Sequence, residues 1–361
     1  MNTTAAPYRF HAFEISYFSA KVRPALRAKA LWYQELRADM SEVIGRTGMA
    51  FIPILITPEG ETWQDSSEIF DQLEARHPLP PLSPASPVQT IAAALVELYS
   101  DEFGTIPAMH YRWGSEFGAK TAQARFAAMI GNKDIAAAAA KQMARARLSL
   151  GATDLTGPVI EAHSRDLLDT LSALFETQPY LLGERMSYAD CALMAPVYGH
   201  FFNDMVSRKI LLETAVLVVT WIERCNYPGA QSEEAWPAQA PLGEGLRAVL
   251  TVMGKDAAPL LLTGARAWET WADTRPADMV EPPRAVGTYT GSLRGTPLTH
   301  FTGSYSLWML QRTLDAYAKL SASERDEVDT ALEGTGWEEL LAYKPRHRLG
   351  KKNFKLVFET R

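Results

Sequence analysis

Cysteine is nearly absent: Cys191 and Cys225 are the only two in 361 residues. They form neither a Cys-x-x-Cys pair nor a disulfide framework, which excludes a thiolate metal cluster and suits a reducing compartment. Positive charge is not in surplus, since 36 Lys+Arg face 42 Asp+Glu for a formal net charge of −6. A nucleic-acid binder carries a basic footprint, so nucleic acid is not an expected partner. No apolar run approaches the roughly 18 residues of a membrane span. Met1 to Pro7 lack the basic and then apolar pattern of a secretory signal. The expected setting is therefore cytoplasmic, with no membrane partner. Internal repeats are also missing. What is present is a packable chain, 47% apolar with 9 Trp, 13 Tyr and 14 Phe, long enough for two to three domains of about 150 residues.

Proline marks the seams. His77 to Pro87, with Pro78, Pro80, Pro81, Pro84 and Pro87, cannot continue a helix or sit in a central strand. Asn226 to Gly245 and Asp273 to Arg284 are the other breaks. The cuts give a first domain over 1–80, a second over 88–228 and a C-terminal extension over 229–361.

The first block reads β-α-β-β-α. Tyr8 to Ile15 alternates like a strand, Ser19 to Glu35 has helical spacing, Ile52–Ile56 and Thr62–Gln64 flank a turn, and Ser66 to Arg76 is helical. The second block is nearly all helix, its clearest start being Ser187-Tyr188-Ala189-Asp190, a capping-box variant with Asp in place of Glu. The extension shows a helical stretch over 245–272, a hairpin around Arg294-Gly295, a stripe of Leu307, Leu310, Leu314 and Tyr317, a capping box at Ser321–Glu324, and a terminal strand from Asn353 to Glu359.

Three short segments of the first block stand out together. They are Ser16-Tyr17-Phe18-Ser19-Ala20-Lys21-Val22-Arg23, then Phe51-Ile52-Pro53, then Gln64-Asp65-Ser66-Ser67-Glu68-Ile69. In this order and spacing they resemble the glutathione-binding half of the cytosolic glutathione transferases. The first resembles the serine-type turn of the zeta and tau classes, the second the family's cis-proline, and the third its acidic-Ser-x-x-Ile element. Leu181 to Asp190 resembles the capped helix of the family's second domain. The resemblance covers residues 8 to about 225 and points to larger bacterial members with a long extension. It departs at Gly45 to Ala50, where members often carry a lysine that contacts glutathione; Arg46 is the basic residue here.

The resemblance implies a thioredoxin-like α/β domain, an all-α glutathione-transferase domain, and here an added α+β extension. It implies a homodimer and an enzyme that joins glutathione, as co-substrate, to an apolar electrophile in detoxification. A free thiol has a pKa of about 8.5, so its anion must be stabilised. Ser16, where a strand meets a helix, is the candidate catalytic donor, aided by the helix N-terminus. Ser19 is the internal competitor, better explained as the helix cap, and Tyr17 is a lesser rival. Ile52 and Pro53 would pair with the cysteinyl backbone, Asp65 with the γ-glutamyl ammonium and Ser66 with its carboxylate, with Ser19 and Arg46 as further contacts.

The electrophile pocket is expected from Tyr17, Phe18, Met109, His110, Tyr111 and Trp113, for which core packing is the competing explanation. His110 has no second ligand at metal spacing, so no metal is expected. Lys21 and Arg23 sit in a first helical turn where cations are disfavoured, and read either as a solvated face or as partners of an anion. The basic run Lys344 to Lys355 reads as a solvated edge or an anion patch. Two further functions stay open: a glutathione-dependent isomerase, and a non-catalytic binding or scaffold protein of the same fold.

Overall fold

The computed structural model describes residues 6–359. The chain opens as β1 (Tyr8–Ala12), α1 (Tyr17–Ala28), β2 (Tyr33–Arg37), α2 (Met40–Thr47), β3 (Ile54–Ile56), β4 (Thr62–Gln64) and α3 (Ser66–Arg76). The strands form a mixed sheet in the order β2-β1-β3-β4, with β1 and β2 parallel and the other pairings antiparallel. This is the expected thioredoxin-like domain, and the β-α-β-β-α reading lacked two of its elements, β2 and α2. The helix expected to reach Glu35 stops at Ala28, because Ala30 turns to φ 49 and redirects the chain. β2 lies at the sheet edge with Gln34, Glu35 and Arg37 exposed, so its sequence lacks the apolar alternation of a half-buried strand. α2 starts where the Asp39 carboxylate accepts from the amides of Ser41 and Glu42.

A helical part follows. α4 (Pro87–Leu98) runs into a π-helical turn, Tyr99–Phe103, and then α5 (Thr105–Trp113). α6 (Glu116–Ile130) packs on α7 (Lys133–Ser149), and α8 (Gly157–Phe175) leads to α9 (Tyr188–Pro196). A second π turn, Val197–Phe202, precedes α10 (Met205–Thr214) and α11 (Val216–Asn226). Gly104, between the first π turn and α5, allows a close approach: a Cβ there would lie 2.6 Å from the Tyr17 hydroxyl.

The extension holds α12 (Glu244–Ala272), the hairpin β5 (Ala285–Leu293) and β6 (Thr296–Gly303), α13 (Ser304–Ala318), α14 (Ala322–Leu332), α15 (Glu338–Leu341), and a second hairpin, β7 (Leu349–Lys352) and β8 (Lys355–Phe358). The expected terminal strand is thus the second half of a hairpin, turning at Asn353 and Phe354, both at positive φ. Among the described residues the extension has no separate core. One contiguous apolar cluster runs from Phe10 and Leu26 through Leu95 and Trp221 to Trp268 and Leu349. A polar chain crosses the same boundary: Tyr99 Oη meets His163 Nε2 at 2.6 Å, His163 Nδ1 meets Asp256 at 2.8 Å, and Arg294 Nε donates to Asp256 at 2.7 Å. Among the described residues no helix is long and apolar enough to cross a membrane.

The capping box at Ser187 is present and holds more than its own helix. The Asp190 carboxylate accepts from the Ser187 amide at 2.9 Å and its hydroxyl at 2.6 Å, and from Leu181 N and Trp221 Nε1 at 2.9 Å each. It is fully buried and joins α9, α11 and the loop before them. Asp190→Ala leaves these donors unpaired in the interior, at about 1–3 kcal/mol for each backbone or indole group. A loss of at least about 3 kcal/mol in urea unfolding is expected, with a smaller loss for Asp190→Asn; an unchanged midpoint would contradict this account.

Candidate functional site

The sheet register brings the three segments to one end of the sheet. His11 of β1 pairs with Ile54 of β3, and Ile54 pairs with Gln64 of β4. The turn after β1, the loop before β3 and the start of α3 after β4 are therefore neighbours. They carry Ser16, the Ile52-Pro53 bond and Asp65-Ser66. The Ile52-Pro53 peptide is cis.

Ser16 is the N-cap of α1. Its backbone is extended, and its oxygen accepts from Ser19 N at 3.3 Å. This corrects the assignment of the cap to Ser19, which lies inside the first turn, fully buried, with a hydroxyl that has no hydrogen-bond partner. An oxygen that accepts one bond keeps its own proton, so the half-buried Ser16 hydroxyl remains a donor. Tyr17 has no such freedom. Its hydroxyl donates to the Ser100 carbonyl, and burial beside the Asp101 charge pushes its pKa well above the ordinary value.

Lys21 and Arg23 are not a solvated face. Lys21 is fully buried, its Nζ 2.6 Å from both Glu97 and Asp101 and 2.9 Å from Ser67 Oγ. Arg23 forks onto Glu35 of β2 at 2.9 and 2.7 Å. Burial works against the Lys21 charge, but the two carboxylates outweigh it and raise its pKa. Burial also dominates at Asp101 and raises its pKa, with Glu97 adding and Lys21 opposing.

Asp65 caps α3 from a strained backbone position, φ 83 and ψ 126, that costs a non-glycine residue about 1–3 kcal/mol. Its Oδ1 accepts from Ser67 N at 2.9 Å and Glu68 N at 3.4 Å. Its Oδ2 faces the extension, with Tyr305 Oη donating at 2.5 Å and Lys351 Nζ at 3.0 Å. Burial raises the Asp65 pKa, yet the Lys351 charge and these hydrogen bonds bring it below the usual value. Lys351 therefore accounts for part of the basic run; its neighbours Arg348 and Lys355 also have acidic partners, in Asp315 and Glu281.

Other expected residues disperse. Arg46 pairs with Glu42 at 2.9 Å and Thr62 at 3.2 Å, at the end of β4 away from Gln64, so it does not join the cluster. Ile52 packs beside Val43, Ile54 and Ile56, and Ser66 is buried at the start of α3. Phe51, just before Ile52, lies under the Arg284 guanidinium, 4.2 Å from the ring centroid. Tyr17 and Phe18 pack with Ala108 of α5. Met109 and Trp113 turn instead toward Ala122 and Ala140. His110 reaches Glu161 at 3.0 Å, and the Tyr111 ring meets Phe201. The six residues do not line one wall. A cavity lies at the N-terminal end of α5, lined by Glu102, Ile106, Leu261, Tyr289, His300 and Leu307, with about 20 Å³ of free volume. That is room for about one water. Sequence reasoning missed Tyr305, Ser306, Arg284 and Lys351 as site neighbours; an acid-free basic run was the one available signal.

Residues 10–81 match the family model of the glutathione S-transferase N-terminal domain, and residues 159–227 that of the glutathione S-transferase C-terminal domain. The chain thus has a thioredoxin-like N-terminal domain, a helical domain of glutathione-transferase type, and strands and helices beyond it. Among solved structures it is similar to a glutathione S-transferase from Rhodospirillum rubrum F11, at 17% identity and a TM-score of 0.41 over 68% of this chain and 92% of that one. It is similar to FzlA from C. crescentus at 19% identity and a TM-score of 0.42, over 67% and 99%. A glutathione S-transferase from Methylobacterium radiotolerans in complex with glutathione sulfonate gives 20% identity and a TM-score of 0.39, over 65% and 98%. No curated protein matches the chain.

Glu102 gives this site a pH signature. Burial pushes its carboxyl up from 4.5 to about 7, against the hydrogen bond donated by the Ser306 hydroxyl. The folded chain then holds a proton that the unfolded chain releases near 4.5, so this group's contribution to stability falls as pH rises from about 4.5 to about 7. Glu102→Gln removes that fall. The loss of stability between pH 5 and pH 8 should shrink in the variant by on the order of 3 kcal/mol, and equal losses in both proteins would refute the assignment.

Proposed function

We propose that this chain is a glutathione transferase in which the Ser16 hydroxyl stabilises the glutathione thiolate for attack on an electrophilic small molecule. The observation that carries the reading is the convergence of Ser16, the cis Ile52-Pro53 bond and Asp65-Ser66 at one end of the sheet. The matches to both transferase domains support it. A bound tripeptide would supply a thiol. Ser16 would donate to its sulfur while the first amides of α1 add positive partial charge. Lowering a thiol pKa by two units takes about 2.7 kcal/mol, within reach of one charge-assisted bond and a helix terminus. Ile52 would offer its backbone to the cysteinyl residue, and Asp65-Ser66 would hold the γ-glutamyl end. A homodimer and a cytoplasmic setting belong to the same reading and rest on the family resemblance.

A second reading, a binding protein without turnover, is favoured by the Asp65 carboxylate already bonded to Lys351 and by a cavity of only about 20 Å³. One assay separates the two: glutathione-dependent consumption of an activated aryl halide. Ser16→Ala should lower kcat/KM by about 10²-fold, the usual scale for losing one donor to a developing anion, with the dissociation constant for glutathione within about twofold. Turnover equal to wild type would remove Ser16 from the chemistry. Glutathione binding without turnover by the wild-type chain would favour the binding protein.

A further inference from the structure

The extension lays a set of cations and hydroxyls on the acidic N-terminal turns of α3. Arg312 forks onto Asp71 at 2.8 and 3.0 Å, Tyr305 donates to Asp65, and Lys351 reaches Asp65 at 3.0 Å and Glu68 at 3.3 Å. Lys351 Nζ also lies 3.9 Å from the Trp308 ring centroid. Two carboxylates and an aromatic face make a complete receptor for an ammonium group, and here it is filled by a side chain 10% exposed.

The position of that lysine is fixed. Leu349 and Lys351 share a face of β7 by strand alternation. Leu349 is buried, and both its backbone groups bond to the Gln311 side chain of α13 at 3.0 Å. The outer strand is anchored through Phe358, whose ring lies 5.7 Å from Trp268 and 6.4 Å from Trp271. Two short strands alone are marginal in water, so these anchors are what hold the lysine in place.

We propose that the C-terminal hairpin is a built-in competitor for the site. Lys351 holds the ammonium position at Asp65, and a ligand bringing its own α-ammonium binds only as the β7–β8 hairpin lifts away. This rests on the reading of Asp65-Ser66 as the γ-glutamyl subsite. A tethered group competes at an effective concentration of millimolar order. The apparent dissociation constant is the intrinsic one divided by the fraction of molecules with the hairpin open, so the hairpin sets the ligand concentration at which the site responds.

Calorimetry with glutathione on the full chain tests this, comparing wild type, Lys351→Gln and Lys351→Arg, with amide exchange of residues 349–358 followed with and without ligand. Lys351→Gln should bind at least about tenfold more tightly, and Lys351→Arg should stay near wild type. Saturating glutathione should speed exchange in the hairpin of the wild-type chain. Tyr305→Phe, which leaves the lysine and removes the second donor to Asp65, should give a smaller gain and covers the case in which Lys351→Gln fails to fold. Measurable and equal affinity in wild type, Lys351→Gln and Tyr305→Phe, with hairpin exchange unmoved, would overturn the competitor and leave the subsite reading standing. No binding by any of them at 10 mM, on the order of ten times a millimolar effective concentration, would overturn the subsite reading and the competitor with it.

Discussion

The buried ammonium of Lys21 is the constraint on which the arrangement depends. It stands on α1, bonds to Glu97 of α4 and Asp101 of the π turn, and shares Ser67 of α3 with Glu97. That same Ser67 hydroxyl lies 3.8 Å from Met309 Sδ of α13. The thioredoxin-like domain, the helical part and the extension thus meet around one charge. Removing a charge from water costs several kcal/mol unless partners replace the water, and two carboxylates at 2.6 Å do so here. The partners must then be brought to the lysine, which ties the angle of α1 to that of α4.

The same junction is overfilled with acid, and this explains the polar face of the extension. Asp65, Glu68, Glu97, Asp101 and Glu102 lie close enough for their charges to interact, and Lys21 and Lys351 bond directly to the first four. Glu102 is met by the Ser306 hydroxyl rather than by a cation. Without the extension, Asp65 and Glu68 would lose Lys351 and Glu102 would lose its donor. Tyr305, Ser306 and Lys351 are therefore complementary to a charge excess that the two upstream parts create between them.

How much of this could be read from the sequence followed the range of the forces. The β1–α1 turn, the Ile52-Pro53 pair and the helix from Ser66 were visible because each is a local device with a local signature. Lys21 was visible as an anomaly, a cation in a first helical turn, but its partners lie 76 and 80 residues away. Lys351 was visible only as part of an acid-free run, and Tyr305 not at all, its acceptor being 240 residues distant. β2 escaped because an edge strand with three exposed polar residues carries no alternation. The misplaced cap was a choice between two serines three residues apart, which tertiary packing decided by burying Ser19 completely.

The expected pocket wall fails for a geometric reason that bears on function. A contiguous stretch of helix points around the whole axis, so Met109 and Trp113, one turn apart, share a face, while Tyr111, midway between them, points to the opposite side. Their different neighbours follow directly. Ile106, one turn before Met109 on α5, instead lines with Glu102 of the preceding turn the small cavity closed by α12, the β5–β6 hairpin and α13. The extension thus meets the upstream parts at two places, Asp65 and Glu68 through Lys351 and the Glu102–Ile106 segment through α12 and α13.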